Sequence, residues 1–188
     1  MAVWLFLVGA LVAVLGLFVL FQYNRMVSLR NRCTESWSNV DTELLRRHDL
    51  VPNLVAAVKG AAAHERTVMA TVSEARARAV AAQGGAAARQ GAENELSRAV
   101  GRLMAVAEAY PNLKANSNFL GLQQELAVTE DRIQAARRFY NGNVRDYRDQ
   151  TRQFPGILVA RGFHFGEIAF FEVDAPSVRA APQVTIGG

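Results

Sequence analysis

The sequence predicts an all-α protein, in which an N-terminal transmembrane helix is followed by an antiparallel up-and-down bundle of three to four long helices. Three observations predict this fold class. Residues 2–24 are largely apolar and carry no charged side chain. From Met26 to Tyr147, apolar residues recur at alternating spacings of three and four, which is the period of one helix face. Glycine and proline interrupt this pattern at only a few places, which indicates long helices with short connections.

The N-terminal apolar stretch predicts a membrane anchor over residues 1–24. As a helix rising about 1.5 Å per residue, it is long enough to cross a hydrocarbon core of ~30 Å. Trp4 and Tyr23 lie near its two ends, where aromatic side chains suit the membrane interfaces. A cleaved signal peptide is the alternative, but the basic leading region and the small-residue cleavage site are lacking and the apolar stretch is too long. We therefore expect an uncleaved, single-pass anchor in contact with membrane lipid.

The charges that flank this stretch predict its orientation. Arg25, Arg30 and Arg32 follow the stretch, and no basic side chain precedes it. Because basic residues favour the cytoplasmic side, we expect a protein of the cell (inner) membrane with its helical domain in the cytoplasm.

Composition argues against several classes of function. The formal net charge is +4, and acidic and basic residues alternate through the middle of the chain, as on solvated helix faces. We therefore expect no nucleic-acid binding. The single cysteine, Cys33, excludes an internal disulfide and a zinc site built from cysteines.

The first predicted helix of the bundle begins near Met26 and continues to Ala82. Its apolar stripe passes Pro52 without losing phase, which predicts a kink and not a reversal of the chain. A proline deprives the carbonyl four residues earlier, that of His48, of its helical partner, so a polar side chain nearby would be useful. The stripe comprises residues 26, 30, 33, 37, 40, 44, 47, 51, 54, 58, 61, 65, 68, 72, 75, 79 and 82.

Two further helices complete the predicted bundle, residues 25–153. The glycine-containing segment 83–94 is expected to be a flexible connection. A second stripe then runs from Leu96 to Tyr110 and ends at Pro111. After the connector 111–117, in which Asn116 or Ser117 is expected to cap the next helix, a third stripe runs from Phe119 to Tyr147 and ends before Pro155.

The C-terminal segment, residues 154–173, is rich in phenylalanine and shows no helical period. One interpretation is an apolar strap that lies against the bundle. The other is a docking surface for a partner, formed by Phe163, Phe165, Phe170 and Phe171. We expect residues 174–188 to be a disordered tail.

No combination of residues predicts a catalytic, cofactor or metal site. His48 and Asp49 precede a proline, as in the phosphoacceptor box of sensor kinases, but Pro52 comes one residue too early and no nucleotide-binding domain follows. His64 and Glu65 are not a zinc motif, because Val68 stands where the second histidine is required.

Arg47 is the informative polar residue of this region. It occupies an apolar-stripe position, where a charge is costly unless it is paired. Glu108 and Glu130 lie at the edges of the other two stripes. We expect Arg47 to meet one of them and thereby fix the register of the helices.

The sequence resembles the LemA family in three runs, which begin at Tyr23, Gly101 and Arg137. The resemblance covers nearly the whole chain from the anchor to Phe171. It implies a single-pass bacterial membrane protein with an antiparallel helical bundle and no settled biochemical activity. It also implies a partner role, since the genes of family members often lie near genes of membrane metallopeptidases. The family motif positions carried over to this chain are Arg47, Asp49, Pro52, Asn53, Lys59, Glu108, Tyr110, Pro111, Lys114, Asn118, Phe119, Glu130, Arg132, Arg137, Tyr140 and Asn141.

The favoured function is therefore a non-enzymatic membrane scaffold or adaptor that binds protein partners or itself. A phosphotransfer or sensory element centred on His48 is the alternative.

Overall fold

In a computed structural model of the protein, which describes residues 1–62 and 64–173, the chain is helical and contains no strand within those ranges. The helices are α1 (Ala2–Ala61), α2 (Arg66–Ala81), α3 (Ala86–Glu108), α4 (Pro111–Lys114), α5 (Ser117–Arg152) and α6 (Gly156–Gly162). This confirms the predicted all-α fold class. The predicted disordered tail, 174–188, lies outside the described residues.

The N-terminal part of α1 is long and apolar enough to cross a membrane, by length and composition. Side chains 1–21 are all exposed, and burial begins only at Gln22 and Met26. The exposed apolar surface therefore coincides with the stretch predicted to be the anchor.

The chain divides into two compact units, and α1 and α5 each contribute to both. Unit one comprises residues 1–38 and 138–170, and unit two comprises 39–137 and the chain from 171. In unit one, α1 and α5 are antiparallel, because Gln22 pairs with Gln150 and Trp37 pairs with Tyr140. Their interface buries the predicted stripe residues Met26, Cys33, Tyr140, Val144 and Tyr147.

Unit two is an up-and-down arrangement of α1, α2, α3 and α5. Residues 41 and 48 of α1 contact residues 89 and 93 of α3, so these two helices are parallel. Residues 43 and 47 of α1 contact residues 132 and 130 of α5, so those two are antiparallel. The apolar core contains Val51, Leu54 and Val58 of α1 together with Leu96, Leu103 and Leu126.

The helix continues through Pro52, as predicted, but the expected single helix from Met26 to Ala82 is wrong at another point. α1 ends at Ala61 and α2 begins at Arg66. The break shifts the buried positions: Ala62 and Met69 are buried, whereas the predicted stripe residues 65 and 68 are half-buried. In the sequence, Gly60 is the one residue near the break that disfavours a helix. The alanines that follow it favour a helix, so the break is only weakly indicated.

The turn between α2 and α3 is shorter than the predicted connection 83–94. It occupies residues 82–85, and Gly84 adopts φ +109°, a conformation that glycine allows and other residues rarely adopt. Helix α3 therefore includes Arg89 and Glu93, which had been assigned to the connector. Asn116 caps α5, because its Oδ1 accepts hydrogen bonds from the backbone N–H groups of Asn118 (2.9 Å) and Phe119 (3.1 Å).

The C-terminal segment contains a helix that its irregular phenylalanine spacing did not predict. Helix α6 packs on α1 through Val159 and Ala160, which are buried against Met26. The approach is close at Gly156, where a Cβ atom would lie 2.2 Å from the backbone oxygen of Gln150. Glycine is required at this position because any side chain would collide with the end of α5.

Candidate functional site: a buried charged cluster in unit two

Three helices of unit two bring charged side chains together in the interior. Arg47 of α1 donates from Nη1 to Ser97 Oγ of α3 (2.9 Å) and to Glu130 Oε1 of α5 (3.1 Å). Its Nη2 donates to Glu93 Oε2 of α3. Arg47 and Glu93 are both 0% exposed. The planar guanidinium thus bridges two carboxylates on different helices, a task that suits its fixed fork of donors.

His48, Arg89 and Asp41 extend this cluster. The Nε2 atom of His48 lies 3.0 Å from Glu93 Oε1, and His48 is 1% exposed. Arg89 lies one helical turn before Glu93, with Nη2 3.7 Å from Glu93 Oε1, and its Nη1 donates to Asp41 Oδ1. Glu93 is therefore surrounded by three basic side chains and is the centre of the cluster.

The electrostatic surroundings keep Glu93 ionised. Burial on its own raises the pKa of a carboxyl group, because it disfavours the charged form. Around Glu93, the hydrogen bond from His48 and the positive charge of Arg47 outweigh burial, and the pKa of Glu93 falls below its ordinary value. The cluster is thus an ionic one, and its charges depend on each other to be tolerable in the interior.

The carbonyl that Pro52 leaves without a helical partner is bonded by a side chain. Arg76 of α2 donates from Nε to the backbone oxygen of His48 at 2.6 Å. This is the polar neighbour that the proline predicted. It lets α1 continue past Pro52 and ties α2 to α1 at the level of the charged cluster.

The geometry of the cluster suits register fixing better than catalysis. His48 has its Nε2 engaged by Glu93 and almost no exposed surface. In the described part of the chain, no group of three or more histidine, cysteine, aspartate or glutamate side chains is arranged to hold a metal ion. Sliding α1 by one turn would separate Arg47 from both carboxylates, so the cluster favours one alignment of α1, α3 and α5.

Unit two also has an open surface cleft near the C-terminal end of α1. Ala57 and Gly60 line one side of it, and Tyr110, Pro111 and Leu113 line the other. The two lysines of the chain, Lys59 and Lys114, are neighbours in sequence of these lining residues and are exposed.

In unit one, the C-terminal segment is held by side chains of α5 that bond its backbone. The hydroxyl of Tyr140 donates to Ala169 O (2.8 Å), that of Tyr147 to Gly166 O (2.7 Å), and Nε of Arg148 to Ile168 O (2.9 Å). Burial raises the pKa of Tyr140 to about 12, with the nearby Cys33 adding to the effect, so this hydroxyl remains a donor. The guanidinium of Arg148 also lies 4.3 Å from the centre of the Phe170 ring.

The end of this segment continues in unit two, where it is held in the same way. Arg137 donates from Nη1 to Val173 O at 2.7 Å, and the side chain of Asn94 donates to Glu172 O at 3.3 Å. Phe171 is fully buried. Of the four phenylalanines considered as a partner surface, Phe171 is therefore an interior residue, because its ring fills the core. Phe165 and Phe170 are half-buried, and Phe163 remains exposed.

The structure distributes the sequence-predicted residues over several places. Of the two acids expected to meet Arg47, Glu130 does so, whereas Glu108 is exposed at the end of α3. Phe119 and Tyr140 are buried, and Tyr110, Arg137 and Asn141 are half-buried. The other motif positions are exposed, namely Asp49, Pro52, Asn53, Lys59, Pro111, Lys114, Asn118 and Arg132.

Sequence reasoning missed Glu93 and Arg89, which complete the charged cluster. The signal was present: the stripe of α3, extended backwards from Leu96 by three, four and three residues, reaches Glu93, Arg89 and Ala86. All three are buried. Treating the glycines as a long flexible connection hid this pattern.

Comparison with known proteins agrees with these features. A model of the LemA family matches residues 36–186. The chain belongs to the LemA family. This LemA-family protein is 26% identical over 179 residues to magnetosome proteins MamQ 1 and MamQ 2 of Paramagnetospirillum magneticum, matching 82% of this chain and 66% of theirs.

It is also 26% identical over 178 residues to magnetosome protein MamQ of Magnetospirillum gryphiswaldense, matching 81% of this chain and 65% of that one. The chain thus spans just under two thirds of the length of the curated relatives it matches. The apolar first helix supports an association of this LemA-family protein with a membrane.

Proposed function

We propose that this chain is a single-pass membrane protein whose helical bundle acts as a non-enzymatic scaffold or adaptor. The observation that carries the proposal is the continuity of α1 within unit one. The helix passes from exposed apolar residues 1–21 to the buried residues Gln22, Met26 and Cys33 without a break. No flexible linker separates the anchor from the packed part of the unit, which suits the fixed presentation of a surface near a membrane.

The interior of unit two supports the same proposal. Its most unusual feature, the cluster around Glu93, is enclosed by three helices and joins them. A buried ionic group in which each charge faces an opposite one favours a single alignment of the helices, which suits a scaffold. The alternative is phosphotransfer or sensing at His48, and phosphotransfer requires the imidazole to reach a phosphoryl donor. The 1% exposure of His48 favours the scaffold over this alternative.

The partner is proposed to be another membrane protein or a second copy of this chain. The apolar first helix supports a role tied to a membrane, and the family resemblance makes a membrane metallopeptidase one candidate. With Arg25, Arg30 and Arg32 following the anchor, we place the bundle on the cytoplasmic side of the inner membrane.

Photo-crosslinking in cells tests the scaffold proposal. A photoreactive amino acid would replace Phe139, an exposed aromatic residue of α5, and in separate variants Leu45 of unit two. The matched control is Val144, which is buried five residues further along α5. We expect discrete protein adducts, the same in every replicate, from at least one exposed position and none between chains from Val144. Exposed positions that yield only lipid adducts or none would contradict a scaffold.

A further inference from the structure

Helix α6 and the residues next to it expose a group of apolar side chains in unit one. Phe154 is 80% exposed, Leu158 is 62% exposed and Phe163 is 54% exposed. The opposite side of the same segment is buried: Gly156, Val159 and Ala160 face inwards. The segment therefore has two apolar sides, and only one of them is covered by the protein.

Helix α6 and the residues next to it lie beside the end of the membrane anchor. Val159 and Ala160 pack on Met26, which follows the apolar stretch by two residues. The ring of Phe163 lies 4.9 Å from that of Tyr23, between ring centres, and the ring of Phe165 lies 5.6 Å from Tyr23. Gln150, at the end of α5, bonds Gln22 at 3.0 Å. The chain thus brings α6 back to the last turn of the anchor.

We propose that Phe154, Leu158 and Phe163 form an interfacial membrane contact, so that α6 lies in the boundary layer of the bilayer beside the exit of α1. The proposal rests on the insertion of α1 in the membrane. The ring of Phe163 packs against Tyr23 in the last turn of the apolar stretch, so its exposed surface lies at the level where the spanning helix leaves the lipid. Aromatic residues gather at this level in membrane proteins, and Phe163 extends the position of Tyr23.

The charges around α6 fit a lipid surface. Arg161 follows Leu158 by three residues, so the two lie on one face of the helix, and both are exposed. Arg25, one residue beyond the apolar stretch, is exposed as well. An apolar group with an arginine on the same helix face is the pattern of a helix lying in the headgroup boundary, which buries its apolar side to a depth of roughly 5–10 Å. A second protein covering the same side chains is the competing occupant.

Spin labelling of the full chain in vesicles of phosphatidylcholine and phosphatidylglycerol distinguishes these occupants. Separate variants Leu158→Cys and Phe163→Cys would carry a nitroxide. Cys33 stays in place, because it is 2% exposed and burial, aided by Asp146, raises the pKa of its thiol. The unsubstituted chain measures any labelling of Cys33. Val12→Cys in the anchor and Val80→Cys in unit two are references, since their side chains are 63% and 50% exposed.

The readout is the collision rate of each label with oxygen, which enters lipid, and with a water-soluble nickel chelate. We expect the labels at 158 and 163 to favour oxygen, at a depth between the outermost lipid headgroups and the depth of the label at 12. The label at 80 should favour the nickel chelate. Labels at 158 and 163 that match the label at 80, or that are shielded from both reagents, would overturn the proposal. If the label at 12 also favours the nickel chelate, α1 is not inserted in the membrane, and the proposed single-pass anchor is wrong.

Discussion

Replacing Arg47 with alanine is the most informative perturbation of the fold. The substitution takes Arg47 away from the fully buried Glu93, which keeps only His48 and the more distant Arg89, and it removes the bond to Glu130. Breaking a buried ion pair by deleting one partner costs about 3–5 kcal/mol, because the remaining charge is uncompensated. For a chain of this size, each kcal/mol of lost unfolding free energy lowers the melting temperature by about 2–4 °C. The melting temperature of Arg47→Ala should therefore fall by about 6–20 °C.

The assay is thermal unfolding of the full chain in detergent, followed by circular dichroism. Arg78→Ala is the matched control: Arg78 also bonds a glutamate, Glu95 at 2.9 Å, but its side chain is 51% exposed. Surface pairs contribute about 0.2–1 kcal/mol, so the control should lose at most about 4 °C. Adding Glu93→Gln and Glu130→Gln to Arg47→Met removes the charges together and should recover part of the stability. Equal losses for Arg47→Ala and Arg78→Ala would show that the buried pairs of Arg47 contribute no more to stability than a surface pair.

Four further predictions follow from individual contacts. Arg76→Met should destabilise the chain by about 1–3 kcal/mol, since it leaves the carbonyl of His48 unbonded; combined with Pro52→Ala, whose N–H restores the helical bond, the cost measured by denaturant unfolding should shrink. The ionised form of Glu93 stabilises the fold above pH 4.5, its ordinary pKa, and this stabilisation is lost as the pH falls through its lower folded-state pKa. Glu93→Gln should therefore be less stable than the wild type at neutral pH, with a difference that narrows in acid; a constant difference would contradict this. Tyr140→Phe removes the bond to Ala169 and should speed chymotrypsin cleavage within residues 165–171, whereas Tyr110→Phe should not. An impermeant maleimide should label Val80→Cys only after intact cells are permeabilised, if the bundle is cytoplasmic.

The apolar periodicity of the sequence was enough to predict the helices and the place of Arg47. A charge on a stripe position needs a partner, and the neighbouring stripes offered Glu130, which is the residue found. The carbonyl released by Pro52 likewise predicted a polar neighbour, found as Arg76. The first prediction succeeded because the helix period fixes which side chains face each other. The second succeeded because proline has no backbone N–H to donate to that carbonyl.

The remaining features depended on boundaries, which local sequence specifies weakly. The break after Ala61 lies in an alanine-rich run whose propensity favours a helix, so tertiary packing decides it. Glu93 and Arg89 were missed because the start of α3 was placed after them. Helix α6 has only seven residues, too few for a period to emerge, and its position is set by packing against Met26.

We propose that this chain holds partners at a membrane and that His48 is a structural residue. The most direct test compares crosslinked adducts from the photoreactive residue at position 139 in the unsubstituted chain and in His48→Gln. Glutamine keeps a donor for Glu93 and removes the imidazole that phosphotransfer requires. We expect the same adducts, in the same yield, from both chains. Loss of the adducts in a His48→Gln chain that is folded and in the membrane would contradict it.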